Sequence, residues 1–375
     1  MATDVKVLAR ADLSRLVAVV LGTRPGIVML APVLAELRRR QVPHFVIHTG
    51  QHYSPNMDAQ FFADLRLAAP EYRIDGVASR TTHGAQTATM LEGIETILLE
   101  RRPALVLVGG DANTNLAGAL AARKLGIAVG HIEAGERSFD WSMPEEHNRR
   151  MIDHISDLLF ATGEVAERNL ATERVQGRVI RTGNTIVDAS RLIAGRLREQ
   201  SVRDQPAPFC VVTMHREENV DRPDRLKSAL EGVNAAAEVL DLPVRFYVHP
   251  RTAKRLSQFG LEEWVRGLPR VTLHDPLGYL DFIGALAAAC LVFTDSGGVQ
   301  QEACIHHVPC VTLRENTEWT ETLEIGANRL AGCDRERIVI AADAAVHGRR
   351  EWEVPFGDGR AAARIIDCVE ELLGA

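Results

Sequence analysis

The chain is 375 residues long, with 43 Lys and Arg against 50 Asp and Glu, a net charge of −7 and 46% hydrophobic residues. That is enough length for two domains with real cores, and the acidic balance speaks against nucleic acid as a partner. The six cysteines include no C-x-x-C pair, and no apolar run approaches the ~20 residues of a membrane span. A soluble, cytoplasmic chain with reduced thiols and no membrane partner is the expectation.

Short apolar runs alternate with helical segments. Leu16 to Leu21 reads as a strand and Pro32 to Arg40 as a helix opened by its proline. Strands ending at His48, Val108, His131 and Thr162 follow, with helices over Thr87 to Glu100 and Thr114 to Leu125 between them. The pattern then restarts, with strands ending at Met214, His249, His274, Asp295 and Leu313 and helices near 223–240, 278–289 and 297–306. Near-continuous apolar strands with helical crossovers mean parallel sheets covered on both faces. The reading is α/β, with two doubly wound Rossmann-like domains and a cleft between them. The first covers 1–186, the second 187–356, and a last helix within 357–375 packs back on the first.

In open α/β sheets, ligands bind beyond the carboxyl ends of the strands. Five strand ends carry chemistry here. Gly22-Thr23-Arg24-Pro25-Gly26 offers Arg24 to an anion, or is an ordinary turn with a solvated arginine. Asp111 follows Gly109-Gly110 and is either a projecting carboxylate or the N-cap of the next helix. Glu133 directly ends a strand. Glu145 and Glu146 open a helix after Pro144, where the helix dipole explains one carboxylate without function. Asp111, Glu133 and Glu145 together on one edge suit proton transfer, and Arg149 stands one turn further on. His215 and Arg216 end a strand of the second domain and suit an anionic group, while His249 ends another in a more structural setting. Asp295-Ser296-Gly297-Gly298 joins a strand to a helix, so its backbone N–H groups can hold phosphate, with Glu302 one turn on placed to accept from sugar hydroxyls. Walker A and G-x-G-x-x-G spellings are absent, and no ligand cluster asks for a metal.

Together with TGQH (Thr49 to His52), HIEAGERS, MPEEHNR, TGNT (Thr182 to Thr185), MHREEN, DSGGVQQEA and TEWTET, these segments resemble the non-hydrolysing UDP-N-acetylglucosamine 2-epimerase family over nearly the whole chain. The resemblance implies a GT-B fold, a homodimer, no NAD or other cofactor, and elimination of UDP across C1–C2 followed by its re-addition with inverted C2. It implies Asp111, Glu133 and Glu145 as acid/base carboxylates, with His215 supporting UDP departure. Arg24, Arg149, Arg216, Ser296, Gly297, Gly298 and Glu302 become contacts to phosphates and ribose, and Phe282 a neighbour of the uracil. An activator site of the kind some members have would fall near Gln51, His52, Arg216 and His249.

Three departures bear on the substrate. Gly26 and Met29 stand where the family has glutamate and lysine, Gly109 and Ala112 interrupt its H-G-D-T, and Leu277 replaces a glutamine found in some members. They keep a second expectation open, an epimerase of a sugar phosphate without nucleotide, such as a ketohexose phosphate, working by proton abstraction beside a carbonyl. A GT-B glycosyltransferase and a non-catalytic relative are weaker alternatives.

Overall fold

The computed structural model describes residues 15–51, 61–200, 207–348 and 351–374; side chains of 194–200 and the candidate His52 lie outside the described set. It divides into two compact units, Met1–Ala189 with Phe356–Ala375, and Ser190–Pro355.

The first unit holds β1 (Val17–Leu21), β2 (His44–His48), β3 (Tyr72–Arg73), β4 (Leu105–Gly109), β5 (Ala128–Ala134), β6 (Leu158–Ala161) and β7 (Arg178–Arg181). They form one parallel sheet in the order β3-β2-β1-β4-β5-β6-β7, so the winding reverses between β1 and β4. Its helices include α1 (Arg24–Arg39), α2 (His83–Arg101), α3 (Asn113–Lys124), α4 (Pro144–Ile155) and α5 (Glu164–Glu173), and α6 (Thr185–Gln200) starts in it and runs past the unit boundary after Ala189. Strands β1 and β4 are buried along their whole length, as a sheet covered on both faces requires. The core combines Ala18, Val20, Phe45, Ile47, Val106 and Val108 of the sheet with Met90, Ile94 and Leu98 of α2.

Helix α1 differs from the expectation. It starts at Arg24 rather than Pro32, because the Thr23 hydroxyl caps Gly26 N–H at 3.3 Å and Pro25 occupies the first turn. Pro32 therefore sits inside the helix. An interior proline costs about 3 kcal/mol, and the buried face of Ile27, Val28, Leu30, Val33 and Leu34 offsets it.

The second unit has β8 (Cys210–Thr213), β9 (Val244–Tyr247), β10 (Val271–His274), β11 (Leu291–Thr294), β12 (Cys310–Thr312) and β13 (Asn328–Leu330), parallel in the order β10-β9-β8-β11-β12-β13. The reversal lies between β8 and β11. Its helices are α7 (Glu217–Val220), α8 (Pro223–Leu240), α9 (Pro250–Gln258), α10 (Glu262–Arg266), α11 (Tyr279–Ala287), α12 (Gly297–Ile305), α13 (Thr320–Glu324) and α14 (Arg335–Val346).

The last helix, α15 (Ala361–Leu372), belongs to the first unit. Asp188 accepts from the N–H groups of Ala361 and Ala362 at 3.2 and 3.0 Å, neutralising the start of α15. Arg40 beyond the end of α1 reaches Asp367 and Glu370 at 2.6 and 2.7 Å. Among the described residues no helix is long and apolar enough to cross a membrane.

Candidate active site

In each unit several candidate residues follow the strands at or next to the winding reversal. In the first unit Asp111 is not the cap of α3. Ala112 occupies that position without a side-chain cap, and Gln51 accepts from the Thr114 N–H and hydroxyl at 2.9 and 2.8 Å instead. Gln51, an expected activator contact, thus holds the start of α3. The Asp111 carboxylate pairs with Arg149, and its backbone carbonyl accepts from Asn148 Nδ2 at 2.8 Å. Glu133 lies on a bulge of β5 with φ +70°, the left-handed region that non-glycine residues enter at an energetic cost. A side chain built on Gly110 would meet Glu133 Oε1 at 3.7 Å, so Asp111 follows a turn that the Glu133 carboxylate overlooks.

Helix α4 sorts the two glutamates. Glu146 is fully buried, accepts from Ser138 N–H and Oγ at 2.9 and 3.0 Å, and pairs with Arg150 at 2.9 Å. It is the structural one. Glu145 is half-buried, one helical turn before the arginine that holds Asp111. Arg149 is therefore committed to Asp111 and, at 3.4 Å, to Glu146. Arg24 is the first residue of α1, half-buried beside β1.

In the second unit the organising residue is Asp295, at the end of β11. It is wholly buried and accepts from the His215 and Arg216 N–H groups at 3.0 Å each, from Asn219 Nδ2 at 3.2 Å, and faces His215 Nδ1 at 3.2 Å. Burial pushes its carboxyl up, but the His215 hydrogen bond and charge and the two N–H groups outweigh burial and hold it below the ordinary value. The His215 ring is thereby oriented through Nδ1, with the His249 ring 5.2 Å away. His249 itself caps α9, accepting from Arg251 N–H at 3.2 Å. Arg216 donates through Nε to the Asp295 carbonyl at 3.1 Å.

Ser296 occupies the N-cap of α12 without capping it through its side chain. The two glycines differ. A Cβ on Gly297 would lie 2.3 Å from Glu318 Oε1, so any side chain there would displace the Glu318 carboxylate, whereas on Gly298 it would meet nothing nearer than Ser296 Oγ at 4.0 Å. Gly298 is the one that leaves room. Glu302 is buried and accepts from the Tyr279 hydroxyl at 2.9 Å; burial pushes its carboxyl up to about 7, against the lowering effect of that bond. Phe282 and Leu277, one of the departures, both pack against the same apolar cluster, Phe282 standing edge-on to Tyr247 at 6.2 Å.

Two of the other departures, Met29 and Gly109, are neighbours. A Cβ on Gly109 would lie 3.0 Å from Met29 Sδ and 3.2 Å from Leu30 Cδ2. Met29 and Leu30 fill the space a side chain at 109 would take. Asp295, Tyr279, Asn148 and the buried His131 were missed as contributors to the site. Asp295 carried a signal, a carboxylate at a strand end directly before the Ser-Gly-Gly turn. His131 also stood at a strand end and Asn148 within MPEEHNR, but the partners that give them and Tyr279 their roles lie far away in sequence.

A family model described as UDP-N-acetylglucosamine 2-epimerase matches residues 35–370. A UDP-N-acetylglucosamine 2-epimerase of Methanocaldococcus jannaschii is 44% identical over 357 residues, 93% of this chain and 97% of that one. The chain belongs to the UDP-N-acetylglucosamine 2-epimerase family. It is a sugar epimerase, an isomerase, with a GT-B type fold. The solved M. jannaschii enzyme, in complex with UDP-GlcNAc and UDP, superposes with a TM-score of 0.88 at 44% identity, covering 95% of this chain and 99% of that one. A UDP-2,3-diacetamido-2,3-dideoxy-D-glucuronate 2-epimerase of Pseudomonas aeruginosa is 38% identical over 94% of this epimerase and 99% of that chain. A glycotransferase of kitacinnamycin, 13% identical with a TM-score of 0.56, shares the fold alone. These relatives support a nucleotide sugar as ligand and give no support to the ketose-phosphate alternative.

Proposed function

We propose that the enzyme interconverts UDP-GlcNAc and its C2 epimer. One carboxylate takes the C2 proton as the C1–oxygen bond to UDP breaks, giving a 1,2-unsaturated sugar; UDP re-adds while a carboxylate on the opposite face returns a proton to C2. Asp111, Glu133 and Glu145 are the candidates for these transfers, and His215, held through Nδ1 by Asp295, is the group that supports the departing diphosphate. Arg24, Arg216, Ser296 and Gly298 are the proposed phosphate contacts, with Glu302 and Phe282 on the nucleoside. Arg149 does better as the partner that holds Asp111 in place than as a phosphate ligand, since it is buried against two carboxylates. The observation that carries the reading is the Glu133 carboxylate oxygen 3.7 Å from where a Cβ on Gly110, the residue before Asp111, would lie, in a chain 44% identical to a UDP-N-acetylglucosamine 2-epimerase. The same reading makes the enzyme a cytoplasmic homodimer, the compartment supported by six free cysteines; light scattering checks the pairing.

The test is incubation with UDP-GlcNAc in D2O. A mass gain of one deuteron, located at C2 with the epimer appearing, is the expected result. Turnover of UDP-2,3-diacetamido-2,3-dideoxy-glucuronate but not UDP-GlcNAc overturns the sugar assignment, and turnover of neither overturns the reaction.

A further inference from the structure

His131 lies on β5 two residues before Glu133, and its side chain is fully buried. Its Nδ1 is 2.7 Å from Asp153 Oδ1 and its Nε2 is 3.0 Å from the Gly110 carbonyl oxygen. A carbonyl oxygen and an ionised carboxylate only accept, so both hydrogen bonds form only when each ring nitrogen carries a proton. The surroundings balance such a ring. Asp153 also takes Arg137 Nη2 at 2.7 Å, and Arg137 closes on Glu173 at 2.8 Å. Arg150 and His154 of α4 face Glu173 at 2.7 and 3.7 Å. Burial would push the Asp153 carboxyl up, but the charge and hydrogen bond of His131 and those of Arg137 hold it below the ordinary value.

The two ends of this clamp meet two different carboxylates. At one end Gly110 turns with φ +82° immediately before Asp111, and its N–H donates to the Ile132 carbonyl at 3.0 Å. At the other, Asp153 Oδ2 accepts the Gly135 N–H at 3.1 Å, two residues beyond Glu133. The chain on both sides of the Glu133 bulge is thus tied to one carboxylate of α4, the helix that also carries Glu145 and Arg149.

We propose that His131 is a positioning residue for the epimerisation: donating through both ring nitrogens, it fixes the turn that presents Asp111 and, through Asp153, the bulge that presents Glu133. The inference rests on the reading above only in taking Asp111 and Glu133 as reacting carboxylates.

Two substitutions separate the two bonds. His131→Gln puts an amide where Nε2 stood and keeps a donor for Gly110, whereas His131→Asn puts one where Nδ1 stood and keeps only Asp153. Assayed on UDP-GlcNAc, His131→Asn is expected to lose about a hundredfold in kcat, the scale of an ångström of misplacement, and His131→Gln about tenfold, with KM within about twofold in both. His131→Asn as active as His131→Gln, or equal loss in KM and none in kcat, overturns the proposal. A second measurement does not depend on turnover. Histidine-selective 15N labelling is expected to give two ring N–H signals that vanish in His131→Gln, and a single such signal overturns the doubly donating ring. Two N–H signals in a wild-type enzyme that leaves UDP-GlcNAc unchanged count against the substrate and leave the clamp standing.

Discussion

The polar edges of the two units are built on opposite plans. In the first, reactive-type carboxylates are surrounded by charges: Arg149 on Asp111, and the His131, Arg137, Asp153 and Glu173 network behind the bulge of Glu133. In the second, one buried carboxylate, Asp295, gathers backbone and side-chain N–H groups beside a Ser-Gly-Gly turn that opens a helix, with the Ser296 N–H donated to Thr294 Oγ1 at 3.0 Å. On the proposed function, the first plan fixes where protons are exchanged. The second fixes a loop and aims an imidazole, which is what binding and release of an anion need. Substitutions in the two edges should therefore fail differently, the first in turnover and the second in folding or affinity.

The largest expected effect is on turnover. Glu133→Gln keeps size and backbone but removes a proposed acid/base group, and loss of such a group typically lowers kcat by about 10²–10⁴-fold. Ligand affinity, measured by calorimetry with UDP, should stay nearly constant. Undiminished turnover would remove Glu133 from the chemistry and leave the first edge a structural cluster.

Asp295→Ala probes the other plan. It strands the N–H groups of His215 and Arg216 and the Asn219 amide inside the second unit. Each buried donor left unpaired costs about 1–3 kcal/mol, so a loss of about 3 kcal/mol or more is expected in denaturant unfolding. Because the folded carboxyl is held below its ordinary value, its stabilisation is present above the unfolded pKa and is lost as pH falls through the folded one. An unfolding midpoint unchanged by Asp295→Ala would mean that the hub does not hold the loop.

Glu302 gives a pH test with the reverse sign. Its carboxyl is pushed from 4.5 up to about 7, so the folded state holds the extra proton between those values. Stability is then fullest below the unfolded pKa and is lost as pH rises through about 7, by roughly 3 kcal/mol at 1.36 kcal/mol per pKa unit. Glu302→Gln should flatten this slope. A slope unchanged by the substitution would assign it elsewhere.

Ser296→Asp is a smaller perturbation at the same edge. A carboxylate at the start of α12 suits the helix dipole, so folding should hold, while repulsion of a diphosphate should weaken UDP by about tenfold, or 1.4 kcal/mol. Equal affinity would take the phosphate away from this turn.

Much of this was readable before any coordinates. The parallel strands announce themselves as uninterrupted apolar runs, and the carboxyl-end rule then singles out Asp111, Glu133, His215 and Ser296. The start of α1 was not legible from Pro32, because the Thr23 cap and Pro25 decide it together with a buried face. Nor was the pairing of Met29 with Gly109, since a side chain filling a gap 80 residues on has no local pattern. Choosing between Glu145 and Glu146 also needed the structure: helix periodicity places both in the first turn, and only the position of Ser138 and Arg150 shows which one is committed.

The smallest effect sharpens the comparison most. Glu133 is held at φ +70°, where a residue with a Cβ pays about 1 kcal/mol or more and glycine pays nothing. Glu133→Gln keeps that strain and Glu133→Gly removes it, and neither retains the carboxylate. If the clamped first edge stores strain in order to present Glu133, the glycine variant should be inactive yet more stable than the glutamine variant by about 1 kcal/mol, less what glycine loses in unfolded-state entropy. For a chain of this size a gain of that order raises Tm by about 2 °C, within reach of calorimetry. A glycine variant less stable than the glutamine variant would mean that side-chain contacts at 133, rather than the backbone bulge, hold this edge together.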